Sequence, residues 1–536
     1  MATEAITPRT RLRGLGAAWL EWTRGYGVES WLVALLICGY CWLFSPPTSD
    51  LAAAVFRSDL FAHGGLLIYN AQWYEGHHLL AYSLLSPVFG GLIGTRLVAA
   101  LCTLGAVVVL ERTLVPRYGT AGRIAAVLFA LTAGSSLLIG RIAFQVGLFF
   151  GVVAIHLATR SRFVAASVAA VLCALGSPLA GLFLALLAGA WFLSSPNRWA
   201  VVMAASAVVP SLVLQFAFRE GGTFPYPFRS SFVQLFVFVL LGLLTLPRSE
   251  RLIRVGLLAY LALGIYALAV PSQLGGNVNR LGTIVAAPLF ATALWNRRKL
   301  FLAIALPYAL WWPLHDLLRD LPDSGGRGTD AAYYRPLNRY LSEHIRTPAR
   351  IEIPPTRNHW EGVYVGEHHE LARGWERQLD QKYDALYYGT IVTPERYRHW
   401  LDRSAVQYVA LSDAPSDFAS KSEVDLLVEN QLPFLRLIWQ DRHWRLYRVL
   451  QATPLLSGPG RLVAATPDSF TIQADRPGRF TMRLHYSPYW AVTKGSGCVQ
   501  VGEGNYTAVT LRRAGAAKVA TRFAFDRTVR QGRRCT

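Results

Sequence analysis

The chain has 536 residues, more than one hydrophobic core ordinarily organises. Hydrophobic residues make up 53% and charged residues only 16%, which excludes an ordinary water-soluble globular protein for the chain as a whole. The net charge of +20 raises a nucleic-acid partner, but much of it falls in short loops between apolar segments, where basic residues orient a membrane protein instead.

The averages hide a division. Residues 30–314 hold six acids, and residues 315–536 hold 24, as expected when lipid solvates one part and water the other. Of the basic residues, 48 are arginine and five are lysine, a bias typical of a GC-rich genome.

Residues 1–29 read as a cytoplasmic basic arm carrying Arg9, Arg11, Arg13 and Arg24, with an interfacial helix around Leu15–Trp22. No small-residue cleavage site follows, so this start does not read as a removable signal. A spanning helix needs roughly 20 mostly apolar residues. The segments with that character are 30–46, 95–112, 121–139, 140–158, 162–177, 178–194, 198–218, 230–247, 252–270, 279–296 and 299–315. A further apolar run, 79–93, is shorter. Basic loops at Arg112–Arg123, Arg160–Arg162, Arg198, Arg248–Arg254 and Arg297–Lys299 fall on one side of the membrane only if 79–93 does not cross. The expectation is therefore eleven spans plus a re-entrant 79–93, in the plasma membrane, with the C-terminal domain outside.

The first outer loop, 46–78, differs from the rest. Pro46 and Pro47 end the first helix, and Asp50–Phe61 has the pattern of a helix lying along the membrane. Asn70, Gln72, Trp73, Tyr74, Glu75, His77 and His78 follow. Polar groups at the mouth of a membrane bundle are candidates for function. For Asp50 the alternative is capping of the next helix, and Asp59 is open between function and solvation. Trp73 and Tyr74 suit interfacial anchoring. Glu75, His77 and His78 are candidate substrate-binding groups; adjacent histidines point apart, so no metal site is assigned.

A basic arm, one helix, then a long outer loop opening Pro46-x-x-x-Asp50 resembles the GT-C glycosyltransferases, and the whole layout is similar to that of actinobacterial membrane proteins. The resemblance implies a polytopic enzyme that moves a sugar from a polyprenyl-phosphate donor to a cell-envelope glycan or glycolipid on the outer face. It implies Asp50 as catalytic base and Asp59 as second carboxylate, although the family's usual Asp-Glu pair is replaced here by Asp50-Leu51. The chemistry agrees: a carboxylate can take the acceptor's hydroxyl proton, and the leaving phosphate calls for cationic stabilisation. Arg141, Arg219, Arg229 and Arg280 stand apart from the orienting clusters; snorkelling to headgroups is the alternative for each. Arg280 is favoured, because Gly275, Gly276, Asn277 and Asn279 offer donors beside a helix start. No cofactor is fixed by the sequence, and a divalent cation stays open.

Residues 316–328 read as a linker, 329–450 as a small α/β unit and 451–536 as a β-sandwich of short alternating strands. Tyr486, Tyr489 and Trp490 could meet a glycan, with core packing preferred. The segment 356–380, rich in His, Trp, Glu and Arg, is open between a solvated surface and a sugar contact. Cys498 and Cys535 are the two cysteines of this region, and a disulfide between them suits an oxidising compartment. A transporter or flippase, or a non-catalytic assembly protein with a glycan-binding outer domain, are the alternative functions.

Overall fold

The computed structural model describes residues 27–44, 46–296, 298–389, 391–429 and 431–529. The expected interfacial helix at Leu15–Trp22 and Cys535 lie outside the described residues; Cys498 is disulfide-bonded.

The chain builds a helical half and a β-rich C-terminal half. In chain order the helices are α1 (Glu29–Phe44), α2 (Ser49–Gly64), α3 (Leu85–Ile93), α4 (Thr95–Tyr118), α5 (Thr120–Leu138), α6 (Ile142–Thr159), α7 (Phe163–Gly176), α8 (Pro178–Ser194), α9 (Arg198–Ala217), α10 (Val233–Thr245), α11 (Arg251–Ala269), α12 (Asn279–Leu294) and α13 (Lys299–Asp320). The sequence writes several of these starts explicitly. Ser177 accepts from the Ala180 amide at 3.4 Å with Pro178 in the first turn, and Asn197 accepts from the Trp199 amide at 2.8 Å.

Among the described residues seven helices are long and apolar enough to cross a membrane, namely α4, α5, α6, α9, α10 with its preceding wide turn, α11 and α13, and the bent pair α1 and α2 makes an eighth if taken as one span. The other four predicted spans are also helical. They have 14 to 17 residues, about 21–26 Å at 1.5 Å per residue, less than a hydrocarbon core of roughly 30 Å. Length and composition therefore support seven or eight crossings among the described residues, and the figure of eleven stays an expectation. Helix α3 starts beside the end of α7, where the Leu84 amide donates to the Leu175 carbonyl at 2.9 Å. It packs against α2, where Gly90 faces the Ser58 side chain.

The C-terminal half has two parts. In the first, strands β1 (Arg350–Glu352), β2 (Glu370–Leu371), β3 (Val406–Ser412), β4 (Leu435–Gln440) and β5 (Trp444–Val449) form a mixed sheet in the order β2-β1-β3-β5-β4. Helix α14 (Ala331–His344) buries Tyr334, Leu337 and Leu341 in the core that also holds Ile351 and Trp444. In the second, two antiparallel four-stranded sheets enclose Phe470, Ile472, Phe480, Met482, Trp490 and Val509. Tyr489 and Trp490 are buried, so packing is their role.

The two halves are clasped by a feature absent from the sequence reading. Residues 69–78 fold into an antiparallel hairpin, Tyr69 opposite His78 and Asn70 opposite His77. The hairpin inserts into the C-terminal half. The Leu371 amide donates to the Gln72 carbonyl, the Ala71 amide to Pro467, and the His485 amide to Glu75. Trp73 is fully buried, stacked on Phe56 at 3.9 Å. A Cβ on Gly374 would come within 2.3 Å of its indole, so only glycine fits there. Trp73 and Tyr74 thus sit inside protein and not at a lipid interface, a correction to the anchoring expected of them: their polar atoms reach the Gly362 and Glu376 carbonyls instead of headgroups.

Candidate functional site

A cavity of about 1490 Å³ lies between the helical half and the C-terminal half. Its floor comes from the starts of α2, α6 and α12, the end of α13 and the loops at 220–231 and 272–277; its roof comes from 357–359, 375–379 and 416–421. The loops expected on the outer side therefore converge with the C-terminal domain on one site.

Asp50 stands on this floor. It is the second residue of α2, and the cap position belongs to Thr48, whose hydroxyl donates to the Ile139 carbonyl at 2.7 Å. Capping is thus not the work of Asp50, although a carboxylate suits the first turn of a helix. The turn between α5 and α6 presses on this helix start. Gly140 has φ +90°, and a Cβ there would lie 2.5 Å from the Leu51 nitrogen. That close approach sets Arg141 beside Asp50.

Two arginines flank the Asp50 carboxylate. Arg141 Nε is 3.6 Å away and Arg280 Nη2 is 3.8 Å away. Arg141 also faces Asp316 on α13, Nη2 to Oδ2 at 3.6 Å. These separations exceed hydrogen-bond length, and Arg141 Nε is buried with no hydrogen-bond partner. Arg141 is thus only loosely engaged, which leaves donors for an anionic ligand, while Arg280 beside it also bonds to Tyr82. Asn277 lines the same wall, its amide donating to the Gln273 carbonyl at 3.2 Å.

One flank of the cavity is apolar. Leu182, Val208, Leu212, Leu263 and Tyr266 line it, and Leu212 and Tyr266 are more than half exposed on the outside of the bundle. A charged pocket thus continues into an apolar groove that reaches the surface of the helices.

The remaining sequence candidates separate. Asp59 does not line the cavity. Nine residues after Asp50 at about 100° per residue, it falls on the opposite side of α2, where burial first and then Glu367 raise its carboxyl above the ordinary range. The second carboxylate beside Arg141 is Asp316, which the sequence reading left in the linker. Glu75 belongs to the clasp, its carboxylate 3.4 Å from His485 Nε2. His77 is buried nearby, and burial above all pushes its ring down to about 4. Only His78 of this group reaches the cavity, between Ser487 Oγ at 2.9 Å and Glu220 at 2.9 Å. Burial acts to raise the Glu220 carboxyl, but the hydrogen bond and charge of His78, with His77 and Lys382, hold it below the ordinary value. Arg219 and Arg229 do not line the cavity. Among the described residues no group of three or more His, Cys, Asp or Glu side chains could hold a metal ion.

Sequence reasoning named neither Arg57 nor Glu376, although Glu376 lies within the segment 356–380. They form a tight ion pair at the edge of the cavity, Arg57 from α2 and Glu376 from the roof, with Arg57 also under the Tyr82 ring at 4.4 Å. Nothing in the local pattern marks a pair more than three hundred residues apart in the chain.

No family model and no curated protein matches the chain. Among solved structures, the oligosaccharyltransferase of Archaeoglobus fulgidus, crystallised with a tethered acceptor peptide, aligns with a TM-score of 0.41 and 12% identity over 73% of this chain and 70% of that one. A likeness of that size decides neither the fold nor the activity of this chain.

Proposed function

We propose that this chain is a membrane glycosyltransferase that moves a sugar from a polyprenyl-phosphate donor to a hydroxyl of a glycan or glycolipid on the outer face of the membrane. The observation that carries this reading is the floor of the cavity: the Asp50 carboxylate between Arg280 and the loosely engaged Arg141, at the head of an apolar groove open to the bundle surface. A lipid-linked phosphate is amphipathic in the same way. Its isoprenoid chain would follow Leu182, Val208, Leu212 and Leu263, placing the phosphate by the two arginines.

In the reaction, the acceptor hydroxyl gives its proton to Asp50 as its oxygen bonds to the sugar C1. The bond from C1 to the phosphate oxygen breaks, and the electron pair leaves with the phosphate. Arg141 and Arg280 meet that developing charge. Asp316 holds the Arg141 fork from the far side and acts as a positioning residue. The outer placement and the GT-C resemblance of the first loop support the same assignment.

The test is transfer from a radiolabelled polyprenyl-phosphate sugar into lipid or glycan by the full chain in proteoliposomes. Wild type is expected to transfer, and Asp50→Asn to lose the activity while keeping its melting temperature. Transfer at the wild-type rate by Asp50→Asn sinks the reading.

A further inference from the structure

The floor and roof of the cavity carry opposite chemistry. On the floor, Arg141 is underpaired, its Nε buried without a hydrogen-bond partner. On the roof, Arg377 is saturated: its fork takes both Asp417 oxygens at 2.9 and 2.8 Å, and Nη1 also donates to the Tyr388 hydroxyl at 2.9 Å. A guanidinium so occupied has little to offer an anion. Instead it serves as a plate between rings, 4.7 Å from the centre of Trp375 and 4.6 Å from that of Phe418. His359 extends the stack, its ring 3.3 Å from Trp375 and nearly parallel at 9°. It is pinned between Asp417 at 3.4 Å and Glu361 at 3.6 Å.

This stack is rigid and costly to build. His359 holds φ +59°, a left-handed conformation unusual for a side-chain-bearing residue and concentrated at binding and catalytic sites. Burial acts to lower its ring, but the Asp417 and Glu361 carboxylates on either side raise it above the ordinary histidine value. The stack ends in Phe418, which is 70% exposed although it lines the cavity. Ser416, Gln378 and Lys421 line the same cavity. An exposed ring beside an arginine whose charge Asp417 neutralises, on a wall with polar side chains, suits a ligand that is apolar on one face and polyhydroxylated at its edges.

We propose that the Phe418 wall is the subsite for a neutral saccharide, the acceptor glycan, which packs a sugar ring on Phe418 with its hydroxyls toward Gln378, Ser416 and Lys421. The subsite rests on the transferase reading above for its role as acceptor site, and on the geometry alone for its ligand class. The donor phosphate and the acceptor then enter from opposite walls and meet at Asp50.

The experiment uses the full chain in detergent, with mannotriose and a linear arabinotriose as neutral probes and farnesyl phosphate as the anionic probe, binding followed by saturation-transfer NMR and calorimetry. At least one trisaccharide is expected to bind wild type. Phe418→Ala, a change at an exposed ring, should weaken that binding by about tenfold or more and leave farnesyl phosphate affinity and the melting temperature as they were. Arg280→Ala should do the reverse. Failure of both trisaccharides to bind, or equal binding by Phe418→Ala, overturns the subsite. Failure of farnesyl phosphate alone counts against the donor reading and leaves the saccharide site standing.

Discussion

Arg373 and Arg141 each face more than one carboxylate, in opposite settings. Arg373 is 3% exposed and forks onto Asp380 at 3.0 and 2.9 Å, reaches Glu423 at 3.3 Å and lies 4.1 Å from the centre of the Tyr387 ring. Glu352 and Asp384 are buried beside it. Arg141 touches Asp50 and Asp316 only at 3.6 Å, on the wall of an open cavity. The first cluster has spent its donors on its neighbours and holds the α/β unit together. The second has donors to spare. Pairing distance and solvent access, more than residue type, separate a structural cluster from a site awaiting a ligand.

The comparison breaks most readily at Arg373. Arg373→Ala leaves several buried carboxyl groups without a cation and is expected to destabilise the protein by about 3–5 kcal/mol, read as a large fall in the thermal unfolding midpoint; an unchanged midpoint would show the cluster to be dispensable. Next in size, Asp50→Asn is expected to slow transfer by about 10²-fold or more with no loss of stability, the inverse pattern. Arg280→Lys replaces a planar fork by a point charge and should raise the donor KM by about tenfold with little change in the unfolding midpoint.

A smaller effect sharpens the structural side. Burial above all raises the Glu423 carboxyl from 4.5 to about 7, and burial raises Glu352 and Asp384 as well. The folded chain therefore keeps a proton that the unfolded chain releases above pH 4.5. That contribution is complete below the unfolded value and disappears as pH rises through about 7. Unfolding midpoints of wild type should decline across this window, and Glu423→Gln should flatten part of the decline; parallel curves would remove Glu423 from the account. The smallest effect is expected at Asp59, where Asp59→Asn should leave the transfer rate within about twofold of wild type, as for a group outside the machinery.

The helices were legible because lipid imposes a simple rule, about 20 apolar residues. The strand alternation from Gly460 to Thr521 was legible through its period of two. The hairpin at 69–78 was not, since each strand is two residues long and its partners come from the far end of the chain. Of the site, Asp50, Arg141 and Arg280 stood out by charge in the wrong place for orienting the membrane. Asp59 did too, and only the turn of α2 separates it from Asp50. Asp316 read as linker because helix α13 continues past its apolar stretch to Asp320.

The clasp has a consequence for how the protein is made. His485 follows Gly76, its partner in the hairpin turn, by 409 residues. At the usual pace of synthesis, about 5–20 residues per second, that interval is roughly 20–80 s. Within it, Trp73 and Tyr74 wait for residues 362–376, Tyr69 waits for His485, and the floor of the cavity waits for its roof at 357–421. The loop that carries Asp50 is made early and is among the last to acquire its final neighbours. A nascent chain cut short before residue 357 would thus carry the helices of the bundle and their first carboxylate, yet present an aromatic hairpin open to whatever binds exposed rings.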